Sequence, residues 1–242
     1  MNEDAISPHE TKLFRQSVGQ LNWASTQSRP DLAYDAFYLS TRFNKTNIND
    51  TKYTTNVIKK ARKRDIFLKF QQLGKIEDLH MELFVDASLG NVEDEGYTKS
   101  MMGYFIVLSN KDGKFNPIHW KSKIIDKVAE DVKTAETLAL DSALDDAIFL
   151  ITEIYHGDYK NYELPIQVNE GSKSLVETLY STKKVKRKTM RIVVSSLQQY
   201  MNKGIISNVK HVNTKQQLAD VFTKKGGYRE TLLNAPQKGK LV

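Results

Sequence analysis

The order of apolar segments after residue 80 constrains the fold of this chain more than any other feature. Short apolar runs bounded by turn residues are typical of buried strands. Five such runs predict strands. The first ends at Asp86, and the others are Met101–Ser109, Pro117–Lys121, Leu164–Val168 and Ile205–Val212. Asp112-Gly113 between the second and third runs predicts a tight hairpin, because these residues tolerate positive φ. The first three strands are therefore expected to pair antiparallel.

Helical patterns separate the remaining strands. The longest covers Asp131–Tyr155 and has a stripe of small apolar residues, and shorter patterns cover Ser172–Ser181, Met190–Leu197 and Lys215–Phe222. Helices that connect strands of one sheet pack on its faces. The predicted fold class is therefore α/β, with a five-stranded mixed sheet flanked by helices.

The N-terminal part of the chain has helical spacing of apolar residues from about Thr11, interrupted at Arg29-Pro30 because the residue before proline avoids the helical region. A further helix is predicted over Asp50–Phe70. Its basic block, Lys59–Arg64, is either a solvated face or a surface that contacts phosphates. A linker is predicted over Gly74–Leu79. We expect a helical segment over residues 1–75, a main domain over 76–226 and a tail over 227–242.

Composition excludes some classes of protein. The 242 residues include no cysteine, so disulfides and thiolate metal sites are excluded. Lys and Arg number 36 against 29 Asp and Glu, and the net charge of +7 is compatible with a polyanionic partner. No apolar stretch has the roughly 18 residues of a membrane span, and the polar N-terminus lacks a signal-peptide pattern. We expect a cytoplasmic protein with no membrane partner, the nucleus being the alternative location.

Three acidic residues stand at informative points of the predicted sheet. Asp86 follows the apolar run Leu83–Val85 and precedes small and turn residues, Glu136 lies early in the long helix, and Asp220 lies in the last predicted helix. Carboxylates gathered at one edge of a sheet bind hard divalent cations, and two such ions support in-line attack of water on a phosphodiester. Taken singly, each acid could instead be a turn former or a solvated helix residue.

Short blocks of sequence, in a fixed order, resemble the C-terminal part of copia-type retrotransposon Pol polyproteins. Ser17–Trp23 and Arg29–Ala33 are similar to the segment after the polymerase core. The blocks that resemble the ribonuclease H domain are Asp86-Ala87-Ser88, His119–Lys123, Ala135-Glu136, Lys173-Ser174-Leu175, Gln217–Asp220 and Thr223–Gly226. Together the blocks extend over residues 11–233.

This resemblance implies a ribonuclease H-like domain that follows a helical connection segment, with the reverse transcriptase core absent. It implies two-metal cleavage of RNA in an RNA–DNA hybrid, with Mg²⁺, or Mn²⁺ as the alternative ion. The hybrid and the rest of a reverse transcriptase polyprotein are the implied partners, the hybrid being recognised through its backbone and 2′-hydroxyls. Three of the family's four acidic catalytic and metal-binding positions match Asp86, Glu136 and Asp220.

The fourth acidic position of the family falls on Gly171 in this chain. Glu170 is adjacent, but successive side chains on a strand point to opposite faces. We therefore expect Glu170 to substitute only through a local slip or bulge of the strand. On this basis the resemblance predicts a nuclease impaired by the loss of one carboxylate.

A basic cluster precedes and begins the second of the shorter helices. It consists of Lys183, Lys184, Lys186, Arg187, Lys188 and Arg191. Phosphate contacts dominate the affinity of proteins for nucleic acid, so we expect this cluster to contact the hybrid backbone. The alternative is a solvated surface without a partner.

Two readings of function remain from the sequence, and they leave open whether the chain is an enzyme. The first is a ribonuclease H-type endonuclease with an incomplete carboxylate set. The second is a non-catalytic remnant of the polyprotein that binds nucleic acid or has a structural role. A plain interaction domain would require the ordered resemblance to be a coincidence.

Overall fold

The computed structural model describes residues 6–64, 66–94, 97–155 and 164–225, together with residue 235. The chain divides into two compact units, Met1–Leu68 and Lys69–Val242. The predicted tail, residues 227–242, lies outside the described residues except for residue 235.

The first unit is helical. It contains α1 (Pro8–Gln27), a 3₁₀ turn at Pro30–Leu32, α2 (Ala33–Ser40) and α3 (Ile48–Lys63). Its buried apolar residues are Phe14, Val18, Leu21, Leu32, Ala36, Leu39 and Val57. Helix α3 differs from the predicted Asp50–Phe70 at both ends. It begins earlier because the Asn47 side chain accepts hydrogen bonds from the backbone N–H groups of Asn49 and Asp50, which caps the helix.

The second unit contains a five-stranded mixed sheet. Its strands are β1 (Leu79–Asp94), β2 (Tyr97–Asn110), β3 (Phe115–Ile124), β4 (Ile166–Glu170) and β5 (Ile206–His211), in the spatial order β3-β2-β1-β4-β5. The first three strands pair antiparallel, whereas β4 runs parallel to β1 and β5 runs parallel to β4. The predicted fold class, a ribonuclease H-like α/β fold with an N-terminal helical segment, is confirmed.

In the described part of this unit the sheet is accompanied by the helices α4 (Val132–Tyr155), α5 (Lys173–Leu179) and α6 (Lys188–Asn202). Helix α4 lies against β1 and β2 through small residues, so its backbone can approach the sheet closely; these are Ala135, Ala139, Ala143 and Ala147. The strand residues Leu83, Val85 and Val168 belong to the same apolar cluster. Among the described residues, no helix has the length and apolar character needed to cross a membrane.

The predicted linker belongs to the second unit. Gln71 exchanges hydrogen bonds with Asn116 on β3, since its N–H donates to Asn116 Oδ1 and its C=O accepts from Asn116 Nδ2, each at 2.9 Å. Asn110 Nδ2 donates to the C=O of Leu73 at 2.9 Å. Ile76–Asp78 then forms a 3₁₀ turn before β1. The hydrogen bonds of Gln71 and Leu73 hold the residues just before the predicted linker against the β2–β3 hairpin.

Strand β1 continues beyond Asp86, contrary to the predicted strand end. Asp86 pairs with Gly103 of β2, and after an irregularity between Ser88 and Val92 the pairing resumes as far as Asp94. The pairing with β4, in contrast, ends one residue before Asp86, at Val85 and Glu170. Ala87 and Ser88 stay paired with Met102 and Met101 of β2, whereas Gly90, with a φ of 61°, lies in the irregularity.

The predicted helix over Lys215–Phe222 is also wrong. The structure has turns followed by a 3₁₀ turn at Asp220–Phe222. The buried Gln217 side chain explains the difference, because its Nε2 donates to the C=O of Val85 at 2.9 Å and of Asn169 at 3.3 Å, and its Oε1 accepts from the N–H of Ala219. The Gln217 side chain therefore attaches this segment to the ends of β1 and β4.

Gly103 allows this last turn to lie directly on the sheet. A methyl group at position 103 would come within 2.2 Å of Phe222 Cβ. We expect Gly103→Ala to lower the free energy of unfolding by about 1–3 kcal/mol or more, because the overlap must be relieved by moving backbone. Chemical denaturation measures this effect. Gly171→Ala is the matched control, since a methyl group there meets its neighbours at 3.7 and 3.9 Å. Equal loss in both variants would contradict the close approach.

Candidate active site

Asp86 lies where β1 extends past the end of β4. Residues that pair directly across antiparallel strands share a face, and Phe222 covers its partner Gly103, so Asp86 faces the Asp220–Phe222 turn. The Asp86 side chain is 10% exposed. Thr223 Oγ1 donates a hydrogen bond to Asp86 Oδ2. Burial raises the pKa of Asp86 to about 6, although Lys224 and Thr223 act in the opposite direction.

Asp220 is joined to Asp86 through Lys224. Lys224 Nζ lies 2.5 Å from Asp220 Oδ1 and 3.9 Å from Asp86 Oδ2. Burial by itself lowers the pKa of Lys224, but the negative charges of Asp86 and Asp220 outweigh it and the pKa rises above its ordinary value. The ammonium group is therefore charged and placed between two carboxylates.

Glu136 approaches from α4, on the opposite side of the sheet from the Asp220–Phe222 turn. It is 5% exposed, and its Oε2 is buried without a hydrogen-bond partner among the described residues. Burial raises its pKa, and the charges of Glu170 and Asp86 raise it further. The N–H of Ala87, a neighbour of Asp86, donates to the Glu136 carboxylate and partly offsets this.

Glu170 joins the same group of carboxylates, although the sequence suggested that it would not. It is the last residue of β4 and is 0% exposed. Its Oε1 accepts a hydrogen bond from the N–H of Ser172 at 2.8 Å, and its Oε2 has no hydrogen-bond partner within the described ranges. Burial raises the pKa of Glu170, and the charge of Asp86 adds to this effect.

β4 pairs with β1 without a slip or bulge as far as Val85 and Glu170, and the charge of Glu170 still acts on Glu136; whether Glu170 substitutes as a ligand stays a prediction. Residues paired across neighbouring strands share a face, and Val85 packs in the apolar cluster with α4. Glu170 therefore points towards the face from which Glu136 comes. The acidic cluster, defined here as Asp86, Glu136, Glu170 and Asp220, is thus formed from both faces of the sheet at the end of β4.

Gly171 also lies beside this cluster. A side chain at position 171 would begin 3.9 Å from Asp86 Oδ1 and 3.7 Å from Gln217 Nε2, so the space is open. An acid at this position would reach the same group of oxygens, as the family resemblance implies. In this chain the position contributes only backbone, and the C=O of Gly171 lies 3.1 Å from His211 Nε2.

Three residues of the site were not assigned a role from the sequence. Gln217 ties the Asp220 segment to the strand ends, Thr223 bonds to Asp86, and Lys224 pairs with Asp220. The resemblance contained all three in its last two blocks, which was the available signal. Their roles depend on tertiary contacts that the spacing of these residues did not reveal.

The donor chemistry of the acidic cluster fits a hard divalent cation, which takes carboxylate oxygens. Two buried oxygens, Glu136 Oε2 and Glu170 Oε2, lack hydrogen-bond partners among the described residues, so both could accept an ion. As the side chains stand, no three acidic or histidine side chains in the described part of the chain converge to hold a metal ion. Lys224 meanwhile pairs with Asp220. The donors are present, but they are not arranged around a single point.

The basic cluster lies on the loop after α5 and the start of α6. Lys183, Lys184 and Arg191 help to line a cleft of about 680 Å³. The two arginines make contacts within the protein: Arg187 pairs with Glu130 and bonds to Thr134, and Arg191 donates to the backbone C=O groups of residues 185 and 186. Lys183, Lys184, Lys186 and Lys188 are exposed. The lysines are therefore better placed than the arginines to contact a polyanion.

These elements define a ribonuclease H-like α/β domain with an acidic cluster where β4 ends. No protein-family model matches the chain, and no curated protein matches it. Solved structures that it resembles include LC11-RNase H1, isolated from compost by a metagenomic approach and solved with an RNA/DNA hybrid. That protein is 19% identical, with 63% of this chain and 99% of that chain covered and a TM-score of 0.43.

Two further solved structures are similar to this chain. The RNase H1 of the archaeon Halobacterium salinarum is 16% identical, with 63% of this chain and 97% of that chain covered and a TM-score of 0.40. The protease–reverse transcriptase of prototype foamy virus is 12% identical, with 84% of this chain and 29% of that chain covered and a TM-score of 0.39.

Proposed function

We propose that this chain is a ribonuclease H-like fragment of a copia-type retrotransposon Pol polyprotein, which cleaves RNA in RNA–DNA hybrids. The family assignment rests on the ordered blocks of sequence. The observation that carries the activity is the burial of Glu136 and Glu170, each with an unpartnered carboxylate oxygen in the described structure, beside Asp86. Such burial costs stability, and perturbed carboxylates gathered in one place are typical of functional sites.

Asp86, Glu136, Asp220 and Glu170 would hold the divalent ions, for which Mg²⁺ is proposed and Mn²⁺ is the alternative. Bound ions supply Lewis acidity and an activated water. Glu170 replaces the carboxylate that the family has at position 171, so the impairment predicted from Gly171 is expected to be partial. Thr223 keeps Asp86 oriented through its hydrogen bond, and Gln217 holds the Asp220 segment against the strand ends.

The alternative is a non-catalytic remnant that binds nucleic acid or has a structural role in the polyprotein. One observation favours it: within the described residues the carboxylates do not converge on a point, and Lys224 already neutralises part of their charge. In that case the acidic cluster would be an inherited feature without turnover. The two candidates differ in whether a bound hybrid is cut.

The proposal is tested by incubating the protein with a labelled RNA–DNA hybrid, an RNA duplex and a DNA duplex of the same sequence in Mg²⁺. We expect cleavage of the RNA strand in the hybrid and no cleavage of the DNA duplex. Binding of the hybrid without cleavage in either Mg²⁺ or Mn²⁺ would favour the non-catalytic remnant. Equal cleavage of all three duplexes would contradict recognition of a hybrid.

The basic cluster gives a separate prediction about binding. Lys183→Ala/Lys184→Ala is expected to weaken hybrid binding and to make the slope of log K against log salt less negative by up to about 1.8, because roughly 0.9 is lost for each phosphate contact removed. Arg187 is left unchanged because it pairs with Glu130. Binding is measured by fluorescence anisotropy at several salt concentrations.

The matched control for this binding experiment is Lys111→Ala/Lys114→Ala, which removes two lysines from the β2–β3 turn region. The control is expected to bind like the parent chain. If both double variants show the same slope, the basic cluster is a solvated surface and not a nucleic-acid contact.

A further inference from the structure

The acidic cluster contains a cation of its own. Lys224 Nζ lies 2.5 Å from Asp220 Oδ1 and 3.9 Å from Asp86 Oδ2, and its charge also lowers the pKa of Glu136. Glu136 and Glu170, in contrast, keep buried oxygens without hydrogen-bond partners in the described residues. The lysine therefore neutralises the Asp86–Asp220 side of the cluster and leaves the Glu136–Glu170 side unsatisfied.

Lys224 is also able to move away. Its side chain is 48% exposed, whereas the side chains of Asp86 and Asp220 are 10% and 8% exposed. A lysine ammonium is a compact point charge on a flexible four-carbon stem, so it can turn towards solvent without rearrangement of the strand or of the Asp220–Phe222 turn. The two carboxylates stay fixed, because Thr223 holds Asp86 and Gln217 holds the Asp220 segment.

A divalent ion and this ammonium group need the same oxygens. A divalent ion held by Asp86 and Asp220 would take carboxylate oxygens from both residues. Lys224 Nζ already lies in hydrogen-bond contact with one of them. Two cations cannot share that space, because they repel each other strongly over a few ångströms in a poorly solvated site. Ion binding to this pair must therefore displace the lysine.

We infer that Lys224 is a resident counter-cation that occupies the Asp86–Asp220 position and sets the concentration of divalent ion at which the site fills. In the absence of ion it relieves the repulsion between the carboxylates. When ion is abundant the side chain turns out into solvent. This inference rests on the proposed function insofar as that function places a divalent ion at the acidic cluster.

Calorimetric titration of Mn²⁺ into the metal-free protein tests this inference. We expect Lys224→Gln to bind the ion about tenfold more tightly or better, which corresponds to at least about 1.4 kcal/mol. Lys224→Arg keeps the positive charge and is expected to bind no more tightly than the parent chain. Lys173→Gln removes a lysine that pairs with Glu177 at 3.9 Å, and it should leave the affinity unchanged.

Thermal unfolding of each variant without ion shows whether it is folded, and Lys224→Arg provides the comparison if Lys224→Gln is too unstable to titrate. Unchanged or weaker Mn²⁺ affinity in Lys224→Gln, or tighter binding in Lys224→Arg, would overturn the inference. If the parent chain cleaves the hybrid but Lys224→Gln binds Mn²⁺ no more tightly than the parent chain, the inference about Lys224 fails and the proposed function stands. If neither the parent chain nor any variant binds Mn²⁺, both the proposed metal site and the inference about Lys224 are contradicted.

Discussion

Asp86→Asn is expected to reduce hybrid cleavage by more than about 100-fold, since even the outer contacts of metal ligands are worth 10–100-fold. The charge of Asp86 acts on both halves of the acidic cluster: Asp86 shares Lys224 with Asp220, and its charge raises the pKa values of Glu136 and Glu170. An asparagine is nearly the same size but carries no charge. The fold should persist, because the amide can still accept the Thr223 hydrogen bond.

The initial rate of cleavage at saturating hybrid measures this effect, and anisotropy shows whether the hybrid still binds. Asp78→Asn is the control, because Asp78, in the turn before β1, has a side chain that is 45% exposed and pairs with Lys111. Asp78→Asn should cleave at the parental rate. Parental cleavage by Asp86→Asn would mean that the acidic cluster is not the site of reaction.

Glu170→Gln is expected to change stability and activity in opposite directions. In the metal-free protein at pH 8 it should raise the free energy of unfolding by roughly 1–3 kcal/mol, because it removes a carboxyl group whose ionised form is disfavoured by burial and by the charge of Asp86. For a chain of this length that corresponds to about 2–4 °C in Tm for each kcal/mol. Cleavage should fall by about tenfold or more, because a ligand of the divalent ions is lost.

The pH dependence of the free energy of unfolding shows why removing the Glu170 carboxylate is expected to stabilise the protein. A carboxyl group whose pKa is higher in the folded state keeps its proton there after the unfolded chain has lost it, so stability falls as pH rises through that interval. For Asp86 the interval extends from 3.8 to about 6, and for Glu136 and Glu170 it begins at 4.5. Urea denaturation between pH 4 and 8 should show a shallower decline for Glu170→Gln than for the parent chain.

Gly171→Asp distinguishes whether Glu170 already serves as the fourth acid. The space beside Asp86 is open, so the variant should fold. We expect only a modest gain in cleavage for Gly171→Asp in the parent chain, and a large recovery when it is added to Glu170→Gln. A large gain in the parent chain would mean that Glu170 does not act and that the chain is impaired at position 171, as the sequence alone suggested.

The sequence predicted the five strands and the antiparallel pairing of the first three, because strand and helix periodicities are local and the Asp112-Gly113 turn is specific. The acids Asp86, Glu136 and Asp220 were singled out by their places in the predicted elements, and the ordered set of blocks made that assignment specific. Contacts distant in sequence could not be predicted. Strand β1 continues past Asp86 because β2 pairs with it, and the segment before Asp220 is not helical because Gln217 bonds to β1 and β4.

Glu170 shows most clearly why the site was only partly predicted. The alternation of side chains along β4 was applied correctly, and it places Glu170 on the face of Val85. What the sequence did not show is that α4 packs on that face and brings Glu136 to the same end of β4. Lys224 was missed for a similar reason, since its contacts depend on how the Asp220–Phe222 turn lies on Gly103.

The central claim, that the acidic cluster supports metal-dependent cleavage of an RNA–DNA hybrid, is tested most directly by one titration. The initial rate of hybrid cleavage is measured as Mg²⁺, and separately Mn²⁺, is raised from zero at constant ionic strength. We predict no cleavage without ion and a rate that rises to saturation with ion concentration. A hybrid that stays bound but uncut at every concentration of both ions would contradict the claim.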